Sequence, residues 1–321
     1  MRIEDLCAPV LVTWQLTRAC DLACLHCCTA SAPGRALPDE LTKAEALALA
    51  SRLAGAGVPY VMLAGGEPLV VPHFLEVAER LGAAGVHLKI ETNGQSFTDG
   101  LAKRLARLPI RSIQVSLDAD TQEVFSRQRP GGSLEKAWSA CRAAVAAGLP
   151  LEVTFAPTRL NVHEAGAVLS RAARLGAFRL NTGLPMRLGT AAKLWDRLSL
   201  SDEQTRALLA TLERKEREMT GRMELCYKPL SVLEDAAAQL REPPGTLLVL
   251  PDGRVKVSAV LPYICADLRR LSLHEAWSAY MAAWRTKAVR EAMGRLLDRP
   301  ETELPKADGF TDLPAELVTA G

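Results

Sequence analysis

Three cysteines in one short stretch are the residues of this sequence most able to do chemistry. Cys20, Cys24 and Cys27 follow one another at a C-x3-C-x2-C spacing. A short loop can aim several thiolates at one point, and three thiolates match three corners of a cubane iron–sulfur cluster. Since a fully closed [4Fe–4S] site takes four ligands, one iron would stay open to a small molecule.

A structural zinc site is the alternative interpretation of these thiols. Zinc sites usually combine two C-x2-C or Cys/His pairs with a fourth ligand nearby. Cys28 directly follows Cys27 and is too close in sequence to complete a regular tetrahedron easily, and the chain has no second C-x2-C pair. The spacing favours the cluster and leaves zinc open.

Alternating strands and helices must position these cysteines. An apolar strand is predicted over 10–16, directly before them, and Thr42 with Glu45 forms a capping box that opens the first helix. The predicted strands are 10–16, 59–63, 86–92, 110–117, 151–155 and 178–181, and the predicted helices are 42–54, 72–84, 98–108, 133–147, 163–175 and 201–219. This alternation implies βαβ crossovers and a parallel sheet, with too few units for an eightfold barrel.

Unusual residues cluster where the predicted strands end, which is where parallel α/β sheets bind ligands. Glycine turns and helix caps are the ordinary explanation for each motif taken alone. Four motifs in order on four consecutive strands favour a common site. Beyond the cysteines, these positions are Gly65, Gly66, Glu67 and Pro68; Thr92 and Asn93; Ser116 and Asp118; and, as weaker candidates, Thr154 and Met186.

With these motifs in view, the sequence resembles the radical S-adenosylmethionine (radical SAM) superfamily over about residues 8–220. Its signature is C-x3-C-x-φ-C, in which φ is usually aromatic and is His26 here. The resemblance implies an α/β fold, a partial (β/α)6 TIM-like barrel, with a small C-terminal α+β extension. It also implies one site-differentiated [4Fe–4S] cluster on Cys20, Cys24 and Cys27, and S-adenosylmethionine as the second cofactor.

The resemblance assigns expected roles to the remaining motif residues. The 65–68 motif holds the methionine amino group, Thr92 and Asn93 line the cavity, and Ser116 faces S-adenosylmethionine. Asp118, expected to face the cavity, and Cys28 are the candidate catalytic residues. The expected S-adenosylmethionine-binding residues are His26, Gly65, Gly66, Glu67, Pro68, Thr92, Asn93, Ser116, Thr154 and Met186.

The pattern changes beyond residue 222. The segments 247–250 and 254–257 flank Pro-Asp-Gly and predict a hairpin, followed by a helix over 272–284. This region resembles the SPASM or twitch extension of peptide-modifying radical SAM enzymes. Ser258 stands where a cysteine usually closes the hairpin, and only Cys226 and Cys265 remain. We therefore expect a degenerate extension without an auxiliary cluster.

Three segments are expected: a barrel over 1–221, the extension over 222–298 and a flexible tail over 299–321. Without an auxiliary cluster, a redox-neutral outcome such as epimerisation, rearrangement, cleavage or methyl-type transfer fits best. The oxidoreductase, lyase or isomerase subclass is not determined by the sequence. Whether Cys226 and Cys265 bind any metal is likewise left open.

The predicted function is reductive cleavage of S-adenosylmethionine to a 5′-deoxyadenosyl radical, which abstracts hydrogen from a peptide or peptide-derived substrate. The setting would be natural-product biosynthesis of ribosomal peptides (RiPP biosynthesis), or cofactor biosynthesis. Side-chain modification of a tetrapyrrole in a haem pathway is a second possibility. A non-catalytic iron–sulfur scaffold is a third, but a scaffold has no need of the 65–68 motif.

Composition narrows the setting. The chain of 321 residues has 39 basic and 37 acidic residues, a net charge of +2 that gives no indication of nucleic-acid binding. No apolar run reaches the length of a membrane span, and the uneven cysteines argue against a disulfide framework, so a cytoplasmic protein is expected. Expected partners are an electron donor such as flavodoxin or ferredoxin and, because few residues precede the first strand, a separate leader-peptide-binding protein.

Overall fold

Parallel strands and covering helices build most of the chain, for which a computed structural model describes residues 3–298 and 310–314. The strands are β1 Leu11–Gln15, β2 Tyr60–Ala64, β3 His87–Thr92, β4 Ile110–Ser116, β5 Leu151–Phe155, β6 Arg179–Thr182, β7 Glu224–Cys226, β8 Thr246–Val249, β9 Arg254–Lys256, β10 Tyr263–Asp267 and β11 Thr311–Asp312. The helices are α1 Lys43–Gly55, α2 Phe74–Ala83, α3 Asp99–Leu105, α4 Gln122–Gln128, α5 Leu134–Ala146, α6 Ala165–Arg174, α7 Gly189–Lys193, α8 Trp195–Leu198, α9 Asp202–Met219, α10 Val232–Arg241, α11 Leu273–Ala283 and α12 Lys287–Asp298.

Side-chain caps set where several of the helices begin. Capping boxes open α1, α9 and α11, with Thr42, Ser201 and Ser272 as the N-cap residues. In each, the hydroxyl accepts from the backbone N–H three residues on, while the Glu or Gln there accepts from the cap, so two otherwise unpaired donors are satisfied. The predicted starts of these helices are confirmed.

The sheet runs in the order β11-β10-β9-β8-β1-β2-β3-β4-β5-β6-β7, with parallel pairing from β8 through β1 to β7. The predicted α/β fold with a parallel sheet is confirmed. Parallel pairing brings the carboxyl ends of these strands to the same edge, where ligands bind in such sheets. The loops after β1, β2, β3 and β4 are therefore neighbours.

One face of the sheet is apolar and the other is polar. Val12, Leu63, Ile90 and Val153 belong to the buried hydrophobic core under the helices. Alternate residues on the opposite face form a network that includes hydrogen bonds from Gln114 Nε2 to Glu91 Oε1 at 2.7 Å and from Lys89 Nζ to Glu152 Oε2 at 2.9 Å. The inner face of the curved sheet is thus a polar lumen.

Sequence reasoning missed several elements, among them α4, β7 and α10. Helix α4 caps on Thr121, β7 extends the parallel series beyond the predicted sixth strand, and α10 precedes the hairpin. The hairpin formed by β8 and β9 is confirmed, and β8 also pairs in parallel with β1, so the predicted extension continues the barrel's own sheet.

The boundary near residue 221 stays a prediction. Most of the tail predicted over 299–321 lies outside the described residues, but β11 falls within it and pairs with β10. In the described part of the chain, every helix is too short or too polar to cross a bilayer.

Replacing Val249 by Ala tests whether the hairpin is an integral part of the sheet. Val249 is fully buried on β8, so losing its methyl groups should lower the free energy of unfolding by about 2 kcal/mol. The matched control Val145→Ala, on the exposed side of α5, should change it by less than about 0.5 kcal/mol. Urea denaturation measures both variants, and equal losses would show that β8 is not integral to the core.

Candidate radical SAM active site

The loop after β1 holds three thiols whose sulfurs each accept a hydrogen bond. Leu22 N donates to Cys20 Sγ at 3.4 Å, Ser31 N donates to Cys27 Sγ at 3.3 Å, and Arg129 Nη1 donates to Cys24 Sγ at 3.6 Å. Hydrogen bonds to sulfur stabilise thiolates and tune the potential of an iron–sulfur cluster. The donor set therefore fits three cluster ligands.

Burial dominates the acidity of these thiols. It raises the pKa of Cys20 to about 12 and that of Cys24 to about 11, because a thiolate is poorly solvated there. A bound metal centre reverses this balance, since a coordinating thiol is deprotonated outright. Assembly of the site must therefore release protons.

The zinc alternative gains no support from the geometry. Within residues 3–298 and 310–314, no three Cys, His, Asp or Glu side chains are arranged to hold a single metal ion. One zinc ion draws its thiolates to about 2.3 Å, whereas a cubane spreads them over separate irons.

The loop after β2 is fastened to the cysteine loop by backbone contacts that only glycine permits. Gly66 N donates to Thr17 O at 2.7 Å, and Glu67 N donates to Ala19 O at 2.9 Å. A Cβ on Gly66 would lie 2.0 Å from Ala19 O, and one on Gly65, whose φ is +143°, would lie 2.6 Å from Thr17 O. Both positions require glycine, as the motif predicts.

The Glu67 carboxylate bonds to groups within the protein. Its side chain is fully buried and accepts hydrogen bonds from Thr92 Oγ1 at 2.9 Å, Asn93 N at 2.7 Å and Leu69 N at 3.1 Å. Burial raises its pKa to about 7 despite these donors. Its carboxylate has no open side toward a ligand, so within the predicted binding motif it positions the loop, and a ligand would meet the backbone of this motif.

Thr92 and Asn93 are held by contacts within the protein, and the expectation that they line the cavity stays a prediction. Both are buried, and the Thr92 hydroxyl is engaged with Glu67. Asn93 Nδ2 donates to Asp21 Oδ1 at 2.6 Å and lies 3.7 Å from Cys20 Sγ. These contacts tie the end of β3 to the cysteine loop.

Asp118, the catalytic candidate expected to face the cavity, lies in a buried ion pair beside the cysteine loop, and its catalytic role stays a prediction. Its carboxylate is fully buried, accepts from Arg129 Nε at 2.6 Å and Ala156 N at 2.7 Å, and lies 3.2 Å from His26 Nε2. Burial alone would raise its pKa, but Arg129 and then His26 outweigh it and hold the pKa well below the usual range. Asp118 therefore remains ionised and orients its two partners.

Arg129 is a site residue that sequence reasoning missed. It is buried between the Asp118 carboxylate and the Cys24 sulfur. Only its place after α4, in an Arg-Pro-Gly-Gly turn, distinguishes it in the sequence from other arginines.

Gly189 is the second residue that was missed. It opens α7 with φ at +57°, and a Cβ there would lie 2.6 Å from Cys27 O. Thr190 N donates to the same carbonyl at 2.9 Å. The beginning of α7 therefore lies directly on the cysteine loop.

Three buried polar atoms near the strand ends have no hydrogen-bond partner among the described residues: His26 Nδ1, Thr154 Oγ1 and Thr182 Oγ1. His26 and Thr154 are predicted S-adenosylmethionine contacts, and Ser116 pairs in register with Thr154 across β4 and β5. Buried polar atoms without partners are uncommon in proteins. They fit a polar ligand at this edge of the sheet.

A cavity of about 180 Å³ opens between the cysteine loop, the 65–68 loop and the β8–β9 hairpin. Of the predicted residues it brings together Gly65, Met186 and Cys28, and it adds Gln15 and Lys256, which were not predicted. Burial raises the pKa of Cys28 to about 12. The residues His26, Asp118, Ser116 and Thr154 are not in its wall.

The comparisons with known proteins agree with this geometry. The family model of the radical SAM superfamily matches residues 14–164. This chain carries a radical SAM domain. The family binds a [4Fe–4S] cluster and S-adenosylmethionine, and the matched range contains the three cysteines and the 65–68 motif.

Curated relatives match over part of this chain. The mycofactocin maturase MftC of Mycobacterium tuberculosis (strain H37Rv) is 35% identical over 217 residues, which are 67% of this chain and 54% of MftC. An AdoMet-dependent heme synthase of Methanosarcina barkeri is 32% identical over 53% of this chain and 49% of its own. The sporulation killing factor maturation protein SkfB of Bacillus subtilis is 27% identical over 61% and 47%. The chain thus spans about half the length of these relatives.

Solved structures share the fold. SuiB of Streptococcus suis, bound to S-adenosylmethionine, superposes with a TM-score of 0.68 at 11% identity, over 96% of this chain and 77% of SuiB. The protein anSMEcpe with bound AdoMet gives 0.64 at 14% identity, over 88% and 81%. The fold likeness therefore extends over the C-terminal region as well as the barrel.

Replacing Arg129 by Gln should leave the buried Asp118 carboxylate without its positively charged partner. Breaking a buried pair from one side costs about 3–5 kcal/mol in free energy of unfolding. Arg127→Gln, two residues away, removes only an exposed pair with Glu123 and should leave stability nearly unchanged. Urea denaturation of both variants checks this, and an equally small effect at Arg129 would contradict the buried pair.

Glu67 should make stability fall as pH rises from about 5 to 7. Its folded pKa of about 7 exceeds the ordinary value of 4.5, so the native state keeps a proton that the unfolded chain releases. This contribution is complete below pH 4.5, is lost as pH rises through 7, and amounts to about 3 kcal/mol. Urea midpoints from pH 5 to 8 measure the slope. Glu67→Gln should remove it, while the exposed control Glu123→Gln should not.

Proposed function

We propose that this chain is a radical SAM enzyme that abstracts hydrogen from a peptide or peptide-derived substrate in RiPP or cofactor biosynthesis. One observation carries the proposal. The three cysteine sulfurs each accept a hydrogen bond on a loop fastened by Gly66 and Glu67 to the ends of β2 and β3. A loop built in this way fits a cluster with one open iron.

Cys20, Cys24 and Cys27 would hold the cluster, and the backbone of Gly65 and Gly66 would meet S-adenosylmethionine. When bound, these groups supply a 5′-deoxyadenosyl radical. Ser116, Thr154 and Met186 remain the proposed further contacts to S-adenosylmethionine. The protein itself orients these groups, excludes water and keeps Asp118 ionised against Arg129.

The peptide substrate is proposed from the relatives. The names of MftC and SkfB describe maturation, and SuiB has been solved with its precursor peptide SuiA. A tetrapyrrole is the second candidate, because a heme synthase is 32% identical.

A cluster-free extension of SPASM or twitch type also stays a proposal. Ser258, at the position where a cysteine was expected, donates through Oγ to Gln239 Oε1 at 3.0 Å. Cys265 is buried with Sγ 3.5 Å from Val255 O, and Cys226 lies 3.6 Å from Glu224 Oε1 on β7. Each position is engaged in a different local contact, which supports a redox-neutral reaction. A flavodoxin or ferredoxin and a leader-binding protein complete the proposed partners.

Iron content and EPR spectroscopy test the proposed function. After anaerobic reconstitution we expect about four irons per chain and a reduced-state signal that changes when S-adenosylmethionine is added. Reduction with S-adenosylmethionine present should yield 5′-deoxyadenosine. Cys24→Ser should lose the cluster, whereas Cys28→Ser, a matched change four residues away, should keep it.

Other results would contradict parts of this proposal. About eight irons would show a second cluster and remove the redox-neutral argument. Zinc without iron would overturn the proposal, and equal iron loss in the Cys24 and Cys28 variants would remove the assignment of ligands.

A further inference from the structure

The cavity has two chemically different ends. Gly65 and Met186 form the end next to the proposed S-adenosylmethionine site, and Cys28 lies in the same wall. The other end is built by the C-terminal region, through Lys256 at the end of β9 and Phe310. Nothing in the proposed cofactor chemistry requires the second end.

Among the described residues that line the cavity, the ionic side chains apart from the Cys28 thiol are both cationic. They are Arg18 and Lys256, and no carboxylate stands among these described lining residues. Arg18 Nε donates to Thr29 O at 3.2 Å. Glu91, on the polar face of β3, accepts a hydrogen bond from Gln114.

Lys256 is poised to meet an anion. It is half-buried, its Nζ donates to Ala259 O at 2.8 Å, and the ammonium lies 5.4 Å from the Phe310 ring centroid. Among the described residues no carboxylate lies within salt-bridge distance of Lys256. Burial lowers its pKa to about 8, so the ammonium still predominates at pH 7.

A partly desolvated ammonium without a counter-charge is costly, because a carbonyl oxygen does not neutralise it. Such an ammonium is stabilised most when an anion binds next to it. The surrounding wall is largely apolar, with Leu248, Leu250 and Pro262 beside Lys256, and low polarity strengthens the attraction between the two charges.

We propose that Lys256 binds a carboxylate of the substrate at the hairpin end of this cavity. The inference rests on the proposed function and deepens it by naming the charge of the group that enters the site. The Lys256 ammonium would favour substrates with an anionic group here over those with a cationic or neutral group. The competing source of a carboxylate is S-adenosylmethionine itself, and the experiment separates the two.

Cys28 offers a reporter for the charge preference. Iodoacetate and iodoacetamide are close in size and differ by one negative charge. The anaerobic, cluster-loaded protein is treated with each reagent, and the alkylation rates at Cys28 and at the exposed Cys7 are read by peptide mass spectrometry. The ratio of the two rates cancels the thiolate fraction at each cysteine.

We expect the iodoacetate-to-iodoacetamide ratio at Cys28 to exceed that at Cys7 by about tenfold, as one nearby positive charge predicts. Lys256→Met should abolish the excess, Lys256→Arg should retain it, and the control Lys103→Met, on the exposed side of α3, should leave it unchanged. The dissociation constant of S-adenosylmethionine, from equilibrium dialysis, should be the same in all four proteins.

Three outcomes would overturn the proposal. One is an equal ratio at Cys28 and Cys7 in the unaltered protein, and another is an excess that survives in Lys256→Met. The third is S-adenosylmethionine binding weakened about tenfold by Lys256→Met alone, which would assign Lys256 to the cofactor's carboxylate. Iron content confirms that each variant is folded. Because alkylation needs no turnover, absence of 5′-deoxyadenosine would count against the proposed function and not against this site.

Discussion

The close approach of two backbones, at Gly66 and Ala19, is the constraint on which the rest of the site depends. It leaves no room for a side chain, since a Cβ on Gly66 would lie 2.0 Å from Ala19 O. This backbone contact holds the cysteine loop against the end of β2. Glu67, on the same β2 loop, accepts hydrogen bonds from Thr92 and Asn93 and so joins it to the end of β3. Parallel pairing of β1, β2 and β3 makes this possible, because it brings all three carboxyl ends to one edge.

Electrostatic contacts also support the cysteine loop. Asp118 and Arg129 form a buried ion pair; His26 Nε2 lies 3.2 Å from the same carboxylate, and the guanidinium reaches the Cys24 sulfur. Charges are costly to bury unless they are paired. His26 Nδ1 has no hydrogen-bond partner among the described residues, and it belongs to a residue that the sequence motif assigns to the cofactor site.

Local patterns in the sequence predicted local structure well. The capping box at Thr42 and Glu45, the strand over 151–155 and the positions of Cys20, Cys24 and Cys27 follow from spacing and residue type alone. The hydrogen-bond partners of Glu67, Thr92 and Asp118 did not follow, because the group that a buried polar side chain meets lies far along the chain. Arg129 lies 105 positions after Cys24, and β8 finds its place beside β1 through pairing that no local pattern reveals. Helix α4 is only 7 residues long and shows too few turns for a clear apolar period.

The contact of α7 with the cysteine loop has a consequence for the order of maturation. Gly189 and Thr190 meet the carbonyl of Cys27 only after the chain has passed through six strands of the sheet. The ligand loop is therefore shaped by segments synthesised long after it. A cluster delivered to the emerging chain would find three thiols without their scaffold. Insertion into the folded barrel is the order that this architecture favours.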